Sequence, residues 1–207
     1  HLVYPHGHAD HVGGSGAFAA DAETAGVPRP EVLGHENVAV RFDRYDLTSG
    51  WNLVINSRQF GGLAAEMNLG LGSDDDSAEG SLTVTQKAAA RRFLPRSVLR
   101  PDVEVGDHAT IEVGGERIEL HHARGETDDH LWAWLPDRKW LMSGDFVIWN
   151  FPNAGNPQKV QRYPIEWAAA LRAMAAKGPE MLLPAHGLPV EGAERVGSVL
   201  TDIAVAL

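Results

Sequence analysis

The chain has 207 residues, 43% of them apolar and 22% charged, proportions that suit one globular domain over residues 1–207 with a sizeable core. Its 18 basic and 28 acidic residues leave a formal net charge of −10, which opposes nonspecific attraction to nucleic acid or an anionic membrane. No apolar run reaches the ~18 residues of a membrane span, and with no cysteine the chain has neither disulfides nor thiolate ligands, so any metal falls to His, Asp and Glu. None of this fixes a compartment.

Leu2-Val3-Tyr4 reads as the end of a buried strand, and Pro5-His6-Gly7-His8-Ala9-Asp10-His11 follows it directly. A divalent metal takes neutral imidazole nitrogen and carboxylate oxygen at about 2.0–2.2 Å, so its donors must converge from a short, turning backbone. His6 and His8, two apart in extended chain, point to one side; Asp10 and His11 come after the bend and can serve a second metal. A solvated histidine-rich loop or a tag has no reason to interleave small residues and an Asp among its imidazoles. Gly13, Gly14 and Gly16 open a turn within an alanine-rich helix predicted from residue 11 to about 25, ended by Gly26 and Pro28. Strand-to-helix junctions lie at the carboxyl edge of a sheet, where α/β sites form.

Glu31 to His35 reads as a short strand and turn, and a helix follows from Glu36 through Phe42 and Tyr45. His35, alone beside Gly and Glu, reads as a surface or supporting residue. Residues 41–60 mix guanidiniums with aromatics and an amide, a combination suited either to gripping an anion or to ordinary surface ion pairs. Residues 61–81 are glycine-rich around Ser73-Asp74-Asp75-Asp76-Ser77; they lack calcium-loop spacing and read as a mobile insertion or an active-site lid.

From residue 103 the pattern turns to β. Gly114-Gly115 joins strands 109–113 and 117–122 in a hairpin, and Pro136 to Lys139 joins 131–135 to 140–142 in a second. His121 and His122 alternate along their strand, so at most one faces any site, and both read as packing or surface residues. Pro164 opens a helix striped by Trp167, Leu171 and Met174 and ended by Gly178. Residues 181–183 form a short buried strand, and Val196, Leu200, Ile203 and Leu207 stripe a last helix.

Three later stretches also place ligand-type residues directly after a β-run: Ala123 to His130, Ser143-Gly144-Asp145, and Pro184-Ala185-His186-Gly187. Each by itself could be a turn. In this order after His6-Gly7-His8-Ala9-Asp10-His11, they resemble the metallo-β-lactamase superfamily of hydrolases. The resemblance implies an α+β fold, the four-layer αβ/βα sandwich of the metallo-β-lactamase type, truncated at its N-terminus because members carry several strands before the first motif. Strands from a longer parent chain or a neighbouring copy, as in a homo-oligomer, would then complete the sheet, and residues 1–207 alone should be poorly stable.

The same resemblance assigns His6 and His8 to one metal, Asp10, His11 and His186 to a second, and Asp145 to a bridge between them. Gly125-Glu126-Thr127 stands where most members have Gly-His-Thr. This variation resembles the alkylsulfatase-like branch and makes Glu126 the third donor of the first site. Asp129 and His130 are rivals for that place or, with Asp128, supports for the ligands. Two Zn2+ are expected, and the extra carboxylate keeps iron and manganese open.

There is no Gly-x-Ser-x-Gly elbow and no cysteine, so the expected chemistry is hydrolysis by a hydroxide held on the metals. Asp10 and Asp145 are then the catalytic carboxylates, with Asp128, Asp129 or His130 orienting ligands or shuttling a proton. The resemblance suggests a small anionic ester as substrate, a sulfate ester foremost. Arg41, Arg44, Tyr45, Arg58, Asn153, Arg162 and Tyr163 are the residues available to hold it, and Trp149 to Asn156 form part of the pocket wall. Other ester, lactone, phosphoester or β-lactam hydrolysis would use the same machinery. An iron-containing oxidoreductase and a non-catalytic metal-binding fragment are the alternatives from other classes.

Overall fold

Strands β1 (Leu2–Val3), β2 (Val32–His35) and β3 (Val103–Val105) form a parallel sheet in that order. Strands β4 (His108–Val113), β5 (Glu116–His122), β6 (Leu131–Leu135), β7 (Trp140–Ile148), β8 (Met181–His186) and β9 (Val190–Glu191) form a six-stranded mixed sheet, also in sequence order. The computed structural model describes residues 1–52, 55, 92–150, 152, 154–155 and 162–207; the expected insertion at 61–81, Arg58 and Asn153 lie outside the described residues.

Helices α1 (Ala9–Val12), α2 (Ser15–Ala25) and α3 (Asn37–Leu47) accompany the small sheet. Helices α4 (Pro164–Ala176) and α5 (Ala193–Ala206) cover the large one. Three apolar clusters show the layering. Val12, Val38, Phe42 and Tyr45 from helices pack with Tyr4 and Val32 on one side. Leu33 and Val105 of the small sheet meet Leu120 and Leu131 of the large sheet in the middle. Trp132, Leu141 and Leu182 meet Trp167, Leu171, Val196 and Leu200 on the other side. The result is the four-layer α+β sandwich, with its central layer made by the inward-facing residues of two sheets. No helix among the described residues is long and apolar enough to cross a membrane.

The hairpins form where the sequence places them. Gly114 and Gly115 have φ of 59° and 83°, the left-handed pair that a two-residue connection with the right twist needs. Two expectations are corrected. The first helix is broken into α1 and α2 at Gly13-Gly14, so Asp10 and His11 occupy a one-turn helix of their own. β7 and β8 run well beyond residues 142 and 183 because they pair with each other in parallel as far as Ile148 and His186. Asp145 therefore sits within a strand at a register shift, and His186 is the last residue of its strand. Neither lies in a turn.

An exposed ion pair ties the entry of β2 to that of β3. Arg29 donates to both oxygens of Asp102 at 2.8 and 2.6 Å, and Asp102 also accepts the Val32 N–H at 2.9 Å. The hydrogen bonds from Arg29 pull the Asp102 carboxyl down to about 2. A carboxylate with a depressed pKa contributes stability that is complete above its ordinary value and is lost as pH falls toward the folded one. Asp102→Asn should therefore lower the urea midpoint at pH 5, and the difference from wild type should shrink between pH 4 and pH 2. A difference constant across that range would rule out the pair as its source.

Candidate metal centre

The opening motif is shaped by a change of backbone direction. His8 is extended (φ −73°, ψ 149°) and stands at the N-cap of α1, where its carbonyl accepts the N–H groups of His11 and Val12. His6 and His8 thus leave the strand end, while Asp10 and His11 return from the first helical turn. Opposite them, Glu126 projects from the loop between β5 and β6, Asp145 from β7 and His186 from the end of β8.

The donor atoms fall into two groups around one carboxylate. His6 Nε2 lies 2.9 Å from His8 Nδ1, 3.9 Å from Glu126 Oε2 and 3.8 Å from Asp145 Oδ2. His8 Nδ1 is 4.0 Å from Glu126 Oε1. On the other side, Asp145 Oδ1 is 3.3 Å from His11 Nε2 and 3.5 Å from His186 Nε2. Asp10 Oδ2 lies 3.4 Å and 3.1 Å from those same two nitrogens. Tetrahedral donors about 2.0–2.2 Å from a cation are themselves about 3.3–3.6 Å apart; the second group, at 3.1–3.5 Å, is close to that spacing, and the first, at 2.9–4.0 Å, spans it. His11 Nε2 and Asp145 Oδ1 are buried and make no hydrogen bond of good geometry among the described residues. Buried polar atoms need a partner, and the donor set fits a divalent cation between the groups. Burial pushes His6 and His8 well below the usual imidazole range, which keeps them neutral, as a metal requires. Burial alone would raise the Asp145 carboxyl, but the charge of the facing His11 ring outweighs it and holds the pKa below the usual carboxylate value.

Around these donors lies a set of residues that orient them. Asp129 is completely buried, and its Oδ2 accepts both the Gly7 N–H and Arg41 Nε at 2.9 Å. Arg41 also donates to Asp128. Gly7 is glycine for want of space: a Cβ there would come within 2.8 Å of Arg41 Cδ and 2.9 Å of Asp129 Oδ2. His130 accepts the Asp145 N–H on Nε2 at 3.1 Å, so its proton resides on Nδ1, and its ring stacks on Phe146 at 4.1 Å. Burial pushes His130 down to about 4. Gly144, at φ 54°, adopts the left-handed turn that lets the strand pass this imidazole.

With Asp129 committed to Arg41 and Gly7, and His130 to the Asp145 backbone, Glu126 is the carboxylate facing His6 and His8. Arg41, one of the cations expected to be available to a substrate, is buried and paired with both Asp128 and Asp129. Tyr45 is buried against Phe93, with ring centroids 4.7 Å apart, and Arg44 lies over the Tyr45 ring, so these two belong to the helix packing instead. Tyr163 stacks under Arg124 and donates its N–H to the Gly125 carbonyl. That bond brings the preceding Arg162, also buried, against the Glu126 carboxylate.

His122 is a packing residue, as the sequence suggested, but with a partner the strand pattern could not name. It stacks on His35 at 3.8 Å, and its Nε2 lies 3.0 Å from the Asp128 carbonyl, bracing the loop that carries Glu126. Strand alternation gave no sign of this, because the partner ring comes from the other sheet.

The fold and the paired donor groups define a class, and comparison with known proteins agrees. Residues 1–186 match the model of the metallo-beta-lactamase superfamily, and the chain belongs to that superfamily. It is 26% identical to the linear primary-alkylsulfatase of Pseudomonas sp. (strain ATCC 19151) over 208 aligned residues, covering 96% of this chain and 36% of that protein. The solved structure of the inverting sec-alkylsulfatase Pisa1 from Pseudomonas sp. shares the fold, with a TM-score of 0.68, 20% identity and 98% of this chain covered against 31% of that one. A metallo-beta-lactamase from Pontibacter korlensis does so with a TM-score of 0.53 and 18% identity, covering 99% of this chain and 68% of its own. The chain thus spans about a third of the length of the two alkylsulfatases it matches.

Asp129→Asn leaves the buried Arg41 guanidinium under-compensated and loosens Gly7. It should cost about 3–5 kcal/mol in urea unfolding and weaken metal retention about 10–100-fold. An unfolding midpoint and metal content equal to wild type would show that the pair does not hold the histidine loop.

Proposed function

We propose that this protein is a dinuclear metal-dependent hydrolase acting on an anionic ester, with sulfate esters the first class to test. The observation that carries the reading is the double use of Asp145, whose Oδ2 is turned toward His6 and Oδ1 toward His11 and His186. One carboxylate placed between two donor groups is what a bridged pair of cations requires. His6, His8 and Glu126 would hold one ion; Asp10, His11 and His186 would hold the other. Zinc suits this mixture of imidazole and carboxylate, and the extra oxygen donor at Glu126 also accommodates iron or manganese. When bound, such a pair supplies an activated water and positive charge for the departing anion.

The remaining roles belong to the chain. Arg162 is buried beside Glu126, and its Nε has no hydrogen-bond partner among the described residues, so it offers a charge-assisted donor to an ester oxygen at the first site. Burial pushes its pKa down to about 10, which still leaves it a cation at neutral pH. Asp10 is the exposed donor, and with Oδ2 facing His11 and His186 its other carboxylate oxygen can accept the proton of an entering water. His130 keeps the Asp145 backbone in place without itself charging. At the rim beside His186 lie the exposed side chains of Trp149 and Leu188, 78% and 86% accessible, and they provide apolar surface for a hydrocarbon tail. Likeness to a linear primary-alkylsulfatase supports a sulfate with such a tail.

Two variants separate the roles. Glu126→Ala should lose one of two metal equivalents by elemental analysis and reduce turnover more than about 100-fold, beyond what loss of a supporting residue costs. Arg162→Met should keep both metals and raise KM for alkyl sulfates about 10–100-fold, as expected for one charge-assisted hydrogen bond of about 1.5–3 kcal/mol. A panel of alkyl sulfates, phosphodiesters and lactones sets the substrate class. Turnover of phosphodiesters or lactones with none of sulfates would end the sulfatase reading while leaving the metal centre intact.

A further inference from the structure

A separate group of metal-type donors lies on the outer face of β4 and β5, away from the centre described above. His108 and His121 stand directly opposite each other in the antiparallel register. Glu119 precedes His121 by two residues, so all three side chains leave the same face of the sheet. The two imidazole centroids are 4.8 Å apart, and His121 Nε2 lies 3.3 Å from Glu119 Oε2. One donor atom from each residue lies within 4.8 Å of the other two.

Two of the three side chains are already fixed. The His121 ring stacks on Trp132 at 4.2 Å with 17° between the planes, and Trp132 is itself part of the apolar core. Glu119 is 12% exposed and ionised; Lys177 Nζ lies 3.0 Å from its Oε2 and Arg117 Nη2 2.9 Å from its Oε1. Burial pushes His121 below the usual imidazole range, so it offers a free nitrogen lone pair at neutral pH. His108 is exposed and can turn at little cost.

We propose that His108, Glu119 and His121 form a third metal site, taking a borderline transition ion such as Zn2+, Ni2+ or Cu2+ with water in the remaining position. Two imidazoles and a carboxylate are the donor set such ions prefer, whereas Ca2+ and Mg2+ require mostly oxygen. Lys177 is the competitor. It occupies Glu119 Oε2 from the C-cap of α4, is about a third exposed, and swings into water when a divalent cation takes that oxygen. Arg117 keeps Oε1. Bound metal cross-links β4 to β5 across their hairpin, on the strand that leads into the loop bearing Glu126. The proposal does not depend on the hydrolase reading, because none of these three residues belongs to the paired centre.

The test is calorimetric titration of Zn2+ into full-length protein already saturated at the main centre, alongside His108→Ala and Lys177→Met. Wild type should take one further equivalent. His108→Ala should bind it at least about tenfold more weakly, and Lys177→Met several-fold more tightly. Thermal denaturation should rise with added Zn2+ in wild type and not in His108→Ala, since a ligand bound only to the folded state stabilises it. No further equivalent in wild type, or one whose affinity neither substitution changes, would reduce the cluster to an ion-pair network and overturn the proposal.

Discussion

The carboxylate of Asp129 is fully buried, and the arrangement of the donors is built against it. It receives the Gly7 N–H from between the two leading histidines and the Nε of Arg41 from α3. Three pieces of chain remote in sequence, the opening loop, a helix of the small sheet and a loop of the large sheet, therefore meet at one oxygen atom. Buried charge is tolerated when it is paired with an opposite charge and hydrogen-bonded. The pairing leaves the segment little freedom, and freedom of the His6–Gly7–His8 backbone is what a converging donor set cannot allow. A further main-chain bond, from Leu131 N–H to the Pro5 carbonyl at 2.6 Å, ties the same loop to the start of β6.

The large sheet is held just as firmly on its side. Trp167 of α4 is buried and donates its indole N–H to the Phe146 carbonyl at 2.9 Å, next to Asp145. Phe146 in turn lies under His130, whose nitrogen takes the Asp145 N–H. Core packing of α4 is thus connected through two rings to the residue between the donor groups. Substitutions in the helix would be felt at the centre through position, without touching a donor.

Electrostatically the site is a concentration of negative charge with few built-in counter-ions. Asp10, Glu126 and Asp145 converge with imidazoles that burial keeps neutral at His6 and His8. Arg41 is consumed by Asp128 and Asp129, which leaves Arg162, among the described residues, as the guanidinium that reaches the donors, through Glu126. Carboxylates gathered so closely repel each other unless cations lie among them. The family to which the chain belongs supplies the class of cation, and the asymmetry between the two groups, one with the half-buried Glu126 and buried Arg162 and one with the exposed Asp10, distinguishes an inner from an outer position.

The sequence by itself determined the local features: the dense histidine motif after a strand, the two hairpins, the first-turn proline of α4 and the apolar stripes of α4 and α5. These depend on residues a few positions apart, through backbone conformations and side-chain periods that a short window contains. The tertiary structure decided what depends on partners far away in sequence. It separated Glu126 from Asp129 and His130, which sit within five positions of one another but face different ways because Arg41, 88 residues from Asp129, claims one of them. It also turned Arg41 from an available cation into a buried support. The parallel pairing of β7 with β8 carried both strands past their expected ends and put Asp145 and His186 beside each other, because such pairing forms only when the intervening helix folds back over the sheet.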